Sequence, residues 1–151
     1  KGDTIIVDMG ALLDGYHSDL TRSFFLGNEP DEKFKAVYDL VHMAQKNALS
    51  NMKAGMQGSE IDALARDVIE DAGQGANFGH SLGHGVGLNI HEGPRLSSVF
   101  EKVIPAGAVV SVEPGVYLPG WGGVRIEDLV VVTADGIDFL SHCPKTPIIP
   151  V

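Results

Sequence analysis

Two pairs of carboxylates, Asp8 with Asp19 and Glu113 with Glu127, stand out in this chain, and a glycine-rich segment between the pairs carries His84. Asp8 and Asp19 flank an Asp14-Gly15 turn; Glu113 ends the apolar run Val109-Val110-Ser111-Val112 and precedes Pro114; Glu127 belongs to Val124-Arg125-Ile126-Glu127-Asp128. Carboxylate oxygens with one imidazole nitrogen and no thiolate suit divalent ions such as manganese, cobalt, iron or zinc. Two such ions side by side can hold and activate a water for attack on a carbonyl. The plain alternative is a set of solvated strand positions, and Asp14 fits it as a turn residue. Asp8 fits it poorly, because Ile5, Ile6, Val7 and Met9 read as a strand buried on both faces.

Turn chemistry supplies a register. Asp-Gly is a strong two-residue hairpin signal. It sets Gly10 opposite Asp19 and Asp8 opposite Thr21. Side chains alternate along a strand, so Asp8 and Asp19 share a face as diagonal neighbours, about 7–8 Å apart at the backbone. Gly10 is expected to leave open space facing Asp19, enough for two ions about 3.5–4 Å apart. A second hairpin centred on Gly120 would put Glu113 opposite Glu127, with Arg125 on the same face, although Pro114 must interrupt that ladder.

The segment from Gly79 to Pro94 holds three of the six histidines, His80, His84 and His91. A neutral imidazole serves as a ligand or a proton carrier, and glycines let the backbone come close to an ion or substrate. Spacing leaves open which histidine would bind a metal. His80 and His84 do not make a zincin helix, since Ser81 stands where Glu is needed and Gly83 weakens a helix. Gly83, Gly85 and Gly87 lack the dinucleotide-binding spacing. His17, His42 and His142 read as ordinary surface or core residues.

The elements that must position these groups follow from pattern. Strands are predicted over 4–9, 16–26, 108–112, 124–133 and 137–140. A helix starts near Pro30, with Asp31 and Glu32 at its positive end, and stops near Lys53 and Gly55. A second helix has Ser59 as N-cap with Asp62 three residues on, buries Ile61, Leu64, Val68 and Ile69, and closes at Gly73. Residues 75–94 show no clear period, and 95–105 read as a loop. Hairpin, two helices, then strands is an α+β order with a mostly antiparallel sheet.

The ordered strings Val7-Asp8-Met9-Gly10, 14–22, His80-Ser81-Leu82-Gly83-His84-Gly85-Val86-Gly87, His91-Glu92-Gly93-Pro94, Val112-Glu113-Pro114-Gly115 and 123–128 resemble the pita-bread metallopeptidases: methionine aminopeptidase, aminopeptidase P and prolidase. The resemblance implies a pita-bread fold with helices on the outer face of a curved, mostly antiparallel sheet. It implies five metal ligands, Asp8, Asp19, His84, Glu113 and Glu127, with Asp19 and Glu127 bridging two divalent ions, manganese foremost. It makes Glu113 also the proton shuttle, His91 the residue at the scissile carbonyl, and His80 and Arg125 substrate-site residues typical of the Xaa-Pro branch. The implied reaction is hydrolysis of the bond between an N-terminal residue and proline. Methionine aminopeptidase activity, or a non-catalytic binding module on the same fold, are the alternatives.

The chain opens on Lys1-Gly2-Asp3, a turn-like start that runs at once into a strand. That start suggests a fragment of a longer protein, and the resemblance makes residues 1–151 the C-terminal part of one catalytic domain whose N-terminal part, with a further active-site histidine, lies upstream; it also implies a homodimeric parent. A formal charge of −9 argues against nucleic acid or an anionic membrane as partner, and the resemblance implies a proline-containing peptide as substrate. A single cysteine fits a cytoplasmic setting.

Overall fold

A computed structural model describes residues 2–150. Lys1 and Val151 lie outside the described residues, and with Lys1 the first member of the expected opening turn. The architecture is α+β. β1 (Thr4–Met9) pairs antiparallel with β4 (Leu20–Leu26), and the tight hairpin of β2 (Leu12–Leu13) and β3 (Tyr16–His17) extends from them. Asp14 and Gly15 both take positive φ, 50° and 87°, the pairing that a type I′ turn requires. The expected register follows: Asp8 faces Thr21, and Leu13 faces Tyr16.

α1 (Glu32–Asn51) is capped by Asp31, whose side chain accepts from the Phe34 amide at 2.7 Å. Its stripe Phe34, Val37, Tyr38, Val41, Ala44, Ala48 and Leu49 is buried. α2 (Gly58–Asp71) begins two residues earlier than expected, with Gln57 rather than Ser59 as N-cap and its amide donating to Glu60. Asp62 is not a cap but a fully buried residue, paired with Arg66 at 2.6 Å. Leu64 and Val68 are only partly buried, because α2 turns Ile61, Ala65 and Ile69 inward instead.

β5 (Gly83–Gly85) and β6 (Glu92–Leu96) join β7 (Val109–Val112), β10 (Asp128–Val132) and β11 (Ile137–Phe139) in a five-stranded sheet ordered β11-β10-β7-β5-β6. The sequence shows no period over 75–94, and places a loop at 95–105, because β5 is two glycines around one histidine. Those glycines are required by packing. A Cβ on Gly83 would lie 1.9 Å from the Ser111 carbonyl oxygen, and one on Gly85 would lie 2.2 Å from that of Gly93. β8 (Gly115–Leu118) and β9 (Gly122–Arg125) form a separate hairpin. The strand expected over 124–133 is thus two strands, broken at Ile126 and Glu127. The one expected over 16–26 is broken at Ser18 and Asp19. β12 (Ile148–Ile149) adds to β4 in parallel, the one parallel pairing among the described residues.

α1 lies over β7, β8 and β9, and α2 over β6. The sheet of β1, β4 and β12 is stitched to the β8–β9 hairpin and the turn after it: the Glu127 amide donates to the Thr21 carbonyl at 3.0 Å, and Ser23 Oγ both donates to the Arg125 carbonyl and accepts from its amide. No helix among the described residues is long and apolar enough to cross a membrane.

Candidate metal centre

The two hairpins and the glycine-flanked histidine converge. Asp8, Met9, Gly10, Asp19, His84, Ile90, His91, Glu113 and Glu127 line one cavity of about 260 Å³. One ligand atom each of Asp19, His84 and Glu127 lies within 4.8 Å of the others, and all three residues are buried. Glu113 joins them, its Oε1 3.1 Å from His84 Nε2, while Asp19 Oδ2 stands 3.7 Å from the same nitrogen. The β7–β10 and β8–β9 ladders share one register, whose continuation sets Glu113 opposite Glu127 in the gap between them.

Asp8 lines the cavity from an exposed position and is paired with Arg125 Nη2. Its strand is half-buried rather than buried on both faces, because β1 is the edge of the sheet ordered β1-β4-β12. Gly10 and Asp19 both line the open cavity. A Cβ on Gly10 would sit 2.4 Å from the Ser18 carbonyl oxygen, so glycine is also needed for the backbones to pass.

Hydrogen bonds orient His84, Glu113 and Glu127. His84 Nδ1 donates to the Gly85 carbonyl at 3.1 Å, which directs Nε2 at the carboxylates. Ser111 Oγ accepts from the His84 amide and donates to Glu113 Oε1 at 2.9 Å. Thr21 Oγ1 donates to Glu127 Oε2 at 2.6 Å, whereas Glu127 Oε1 is buried with no partner.

Four carboxylates around one cavity crowd each other. Burial, with Asp8 and Glu113 nearby, raises Asp19 above its usual range. Burial, then the Glu113, Asp19 and Asp8 charges, push Glu127 up to about 8. Burial would raise Glu113 too, but hydrogen bonds from His84 and Ser111 outweigh it and hold the carboxyl low. Burial lowers His84, and its bonds to Glu113 and Gly85 more than offset that. An unpartnered buried oxygen within reach of a carboxylate and an imidazole is what a divalent cation would satisfy, and the oxygen–nitrogen donor set suits one.

A second cavity of about 270 Å³ shares His84, His91 and Glu113 with the first and adds His80, Ser81, Arg95 and Arg125. The His84 and His91 rings stand edge to face, with centroids 4.3 Å apart. Arg125 Nη1 donates to the Tyr117 hydroxyl at 2.9 Å, so that hydroxyl donates in turn to His80 Nε2 at 3.1 Å, while His80 Nδ1 donates to the Ser81 carbonyl. Sequence reasoning missed Tyr117. A signal existed: Tyr117 lies opposite Gly123, and a Cβ on Gly123 would strike its ring at 2.4 Å and one on Gly115 its hydroxyl at 2.7 Å. The paired glycines clear a place for one aromatic side chain. Arg95 was missed as well, and among the described residues its guanidinium has neither a hydrogen-bond nor an ion-pair partner.

Known proteins are similar to this chain in sequence and fold. The sequence pattern of metallopeptidase family M24 matches residues 1–134. An Xaa-Pro dipeptidase of Pyrococcus furiosus is 48% identical over 145 residues, 96% of this chain and 41% of that protein. The solved Xaa-Pro dipeptidase from Bacillus anthracis superposes with a TM-score of 0.95 at 46% identity, covering 98% of this chain and 42% of its own. The X-Pro aminopeptidase of Thermotoga maritima gives 0.95 at 42% identity, covering 99% and 42%. The chain therefore spans about 41% of the length of such curated relatives, and its fold is the pita-bread fold. With its pattern matched over residues 1–134, the chain belongs to metallopeptidase family M24.

Proposed function

We propose that residues 1–151 form the C-terminal part of a single metallopeptidase catalytic domain, and that the parent protein hydrolyses the bond between an N-terminal residue and proline. The observation that carries this reading is the buried, unpartnered Glu127 Oε1 beside Asp19 and His84. Asp8, Asp19, His84, Glu113 and Glu127 would hold two divalent ions, manganese foremost. Bound there, such ions supply Lewis acidity, polarising a carbonyl oxygen and acidifying water.

The chain's own residues do the rest. Glu113, oriented by Ser111, takes the proton of the attacking water and delivers it to the departing proline nitrogen. His91, on the wall between the two cavities, donates to the carbonyl oxygen as charge develops on it. His80 and Arg125, joined through Tyr117, line the peptide's side of the site, and Arg95 offers a free guanidinium for a carboxylate. The relatives named for Xaa-Pro substrates support the substrate class. A homodimeric parent and a cytoplasmic setting, which the free Cys143 suits, complete the reading.

The test is metal analysis of the purified chain, with hydrolysis of Xaa-Pro against Met-Ala peptides by the parent. Bound divalent metal and preference for Xaa-Pro are expected, and Glu113→Gln should lower turnover by about 10²–10⁴-fold. Metal-free protein that cleaves neither peptide ends the peptidase reading; preference for Met-Ala transfers it to the methionine aminopeptidase branch.

A further inference from the structure

Behind Glu127 lies a buried ion pair that none of the chemistry above uses. Arg22 is 2% exposed and Asp128 1%. Arg22 Nη2 donates to Asp128 Oδ1 and to the Cys143 carbonyl, both at 2.7 Å, and Nε donates to the Pro144 carbonyl at 3.2 Å. Asp128 Oδ2 accepts from Lys145 Nζ at 2.6 Å and from Gln45 Nε2 at 3.3 Å. Removing two charges from water costs about as much as their attraction returns, and apolar replacements of equal volume are often no less stable. Stability alone is therefore a poor reason for a guanidinium at this place.

Where the remaining donor goes is more informative. Nη1 donates to the carbonyls of both Thr21 and Glu127. These are the two residues whose side chains meet, through Thr21 Oγ1 and Glu127 Oε2, and whose backbones meet, through the Glu127 amide and the Thr21 carbonyl. Glu127 stands in the gap between β9 and β10, outside both ladders, where regular pairing does not fix its backbone. One guanidinium nitrogen thus ties the carboxylate-bearing residue to the residue that orients its carboxylate.

We propose that Arg22 and Asp128 are positioning residues: their buried pair locks the backbones of Thr21 and Glu127 together and so aims the Glu127 carboxylate at a divalent cation. The inference rests on the metal reading given above. Neither residue touches the cation or the substrate. Groups that orient a ligand from behind typically change metal affinity 10–100-fold when removed.

The experiment is titration of Co²⁺ into the chain and two variants, followed by the visible absorption of the bound ion, with thermal melting of each metal-free protein as the measure of fold. The double variant Arg22→Met/Asp128→Leu removes both charges at similar volume. Arg22→Lys keeps a cation for Asp128 but cannot reach every carbonyl. The double variant should melt cooperatively near the parent temperature yet bind Co²⁺ at least about tenfold more weakly, with an altered absorption band, and Arg22→Lys should fall between. A purely structural role would lower the melting temperature and leave the affinity of the folded fraction unchanged. A folded variant with the parent's affinity and band therefore overturns the proposal.

If neither variant folds, the unaltered chain decides. Loading Zn²⁺ should slow solvent exchange of the Arg22 guanidinium protons, because coupling between two sites is reciprocal. Unchanged exchange also overturns the proposal. Absence of Co²⁺ binding by the unaltered chain fails the metal reading itself, an outcome distinct from a loss confined to the variants.

Discussion

Glu127 is the residue on which the site is least balanced. One oxygen has Thr21 and the other has nothing, while burial and three neighbouring carboxylates push its carboxyl from 4.5 up to about 8. The sign follows. A folded-state value above the unfolded one means that the metal-free fold favours the protonated form. The stabilisation is complete below about 4.5 and is lost as pH rises through about 8. His84, raised on balance, acts in the same direction; Glu113, held low, opposes it only in the acid range. In a chelator, the chain should therefore melt at a lower temperature at pH 9 than at pH 6, and Glu127→Gln should flatten most of that decline. A melting temperature that is level across this range, or a decline untouched by the substitution, would remove Glu127 as its source. At this scale the sequence was legible where a residue type is rare in its surroundings: a carboxylate after Val-Val-Ser-Val, a histidine among glycines. Thr21, Ser111 and Tyr117 were not legible, since a hydroxyl in a strand acquires a role only from what faces it.

The element that decides the histidine's position is β5. Its two glycines lie against the Ser111 and Gly93 backbones, so His84 is held by crowding on both sides rather than by side-chain packing of its own strand. Gly83→Ala should force β5 away from β7, with overpacking of about 1–3 kcal/mol. Urea unfolding should show the loss, and metal content should fall with it, because the His84 amide would leave Ser111 Oγ. Full stability with full metal content would show that the sheet yields at no cost. The hairpin registers were legible because Asp14-Gly15 dictates its turn. β5 was illegible for the reason that makes it work: glycines have no alternation to detect. The breaks at 18–19 and 126–127 escaped notice because apolar patterning runs through them, and the chain leaves its ladder there only because another strand crosses beside it.

Across the whole molecule, the class was legible in the order of hairpin, helices and strands, while the division into separate sheets and the two-residue parallel strand β12 were not. Short pairings of that kind are fixed by distant contacts, not by local propensity. The division matters for stability. The candidate ligands come from the β1–β4 hairpin, from β5 and from the gap between β7 and β8 and between β9 and β10, so a bound cation would clip together elements far apart along the chain. A ligand that binds only the folded state stabilises it by about 2.7 kcal/mol at a hundredfold excess over Kd. For a chain of this size that corresponds to roughly 5–10 °C in Tm, at about 2–4 °C per kcal/mol. Manganese should therefore raise the melting temperature progressively with concentration, a chelator should reverse the gain, and Glu127→Ala should abolish it. A rise that survives Glu127→Ala would locate the cation elsewhere. A rise confined to one probe, with the helices melting as before, would mean that the cation braces the hairpins alone and not the fold that brings them together.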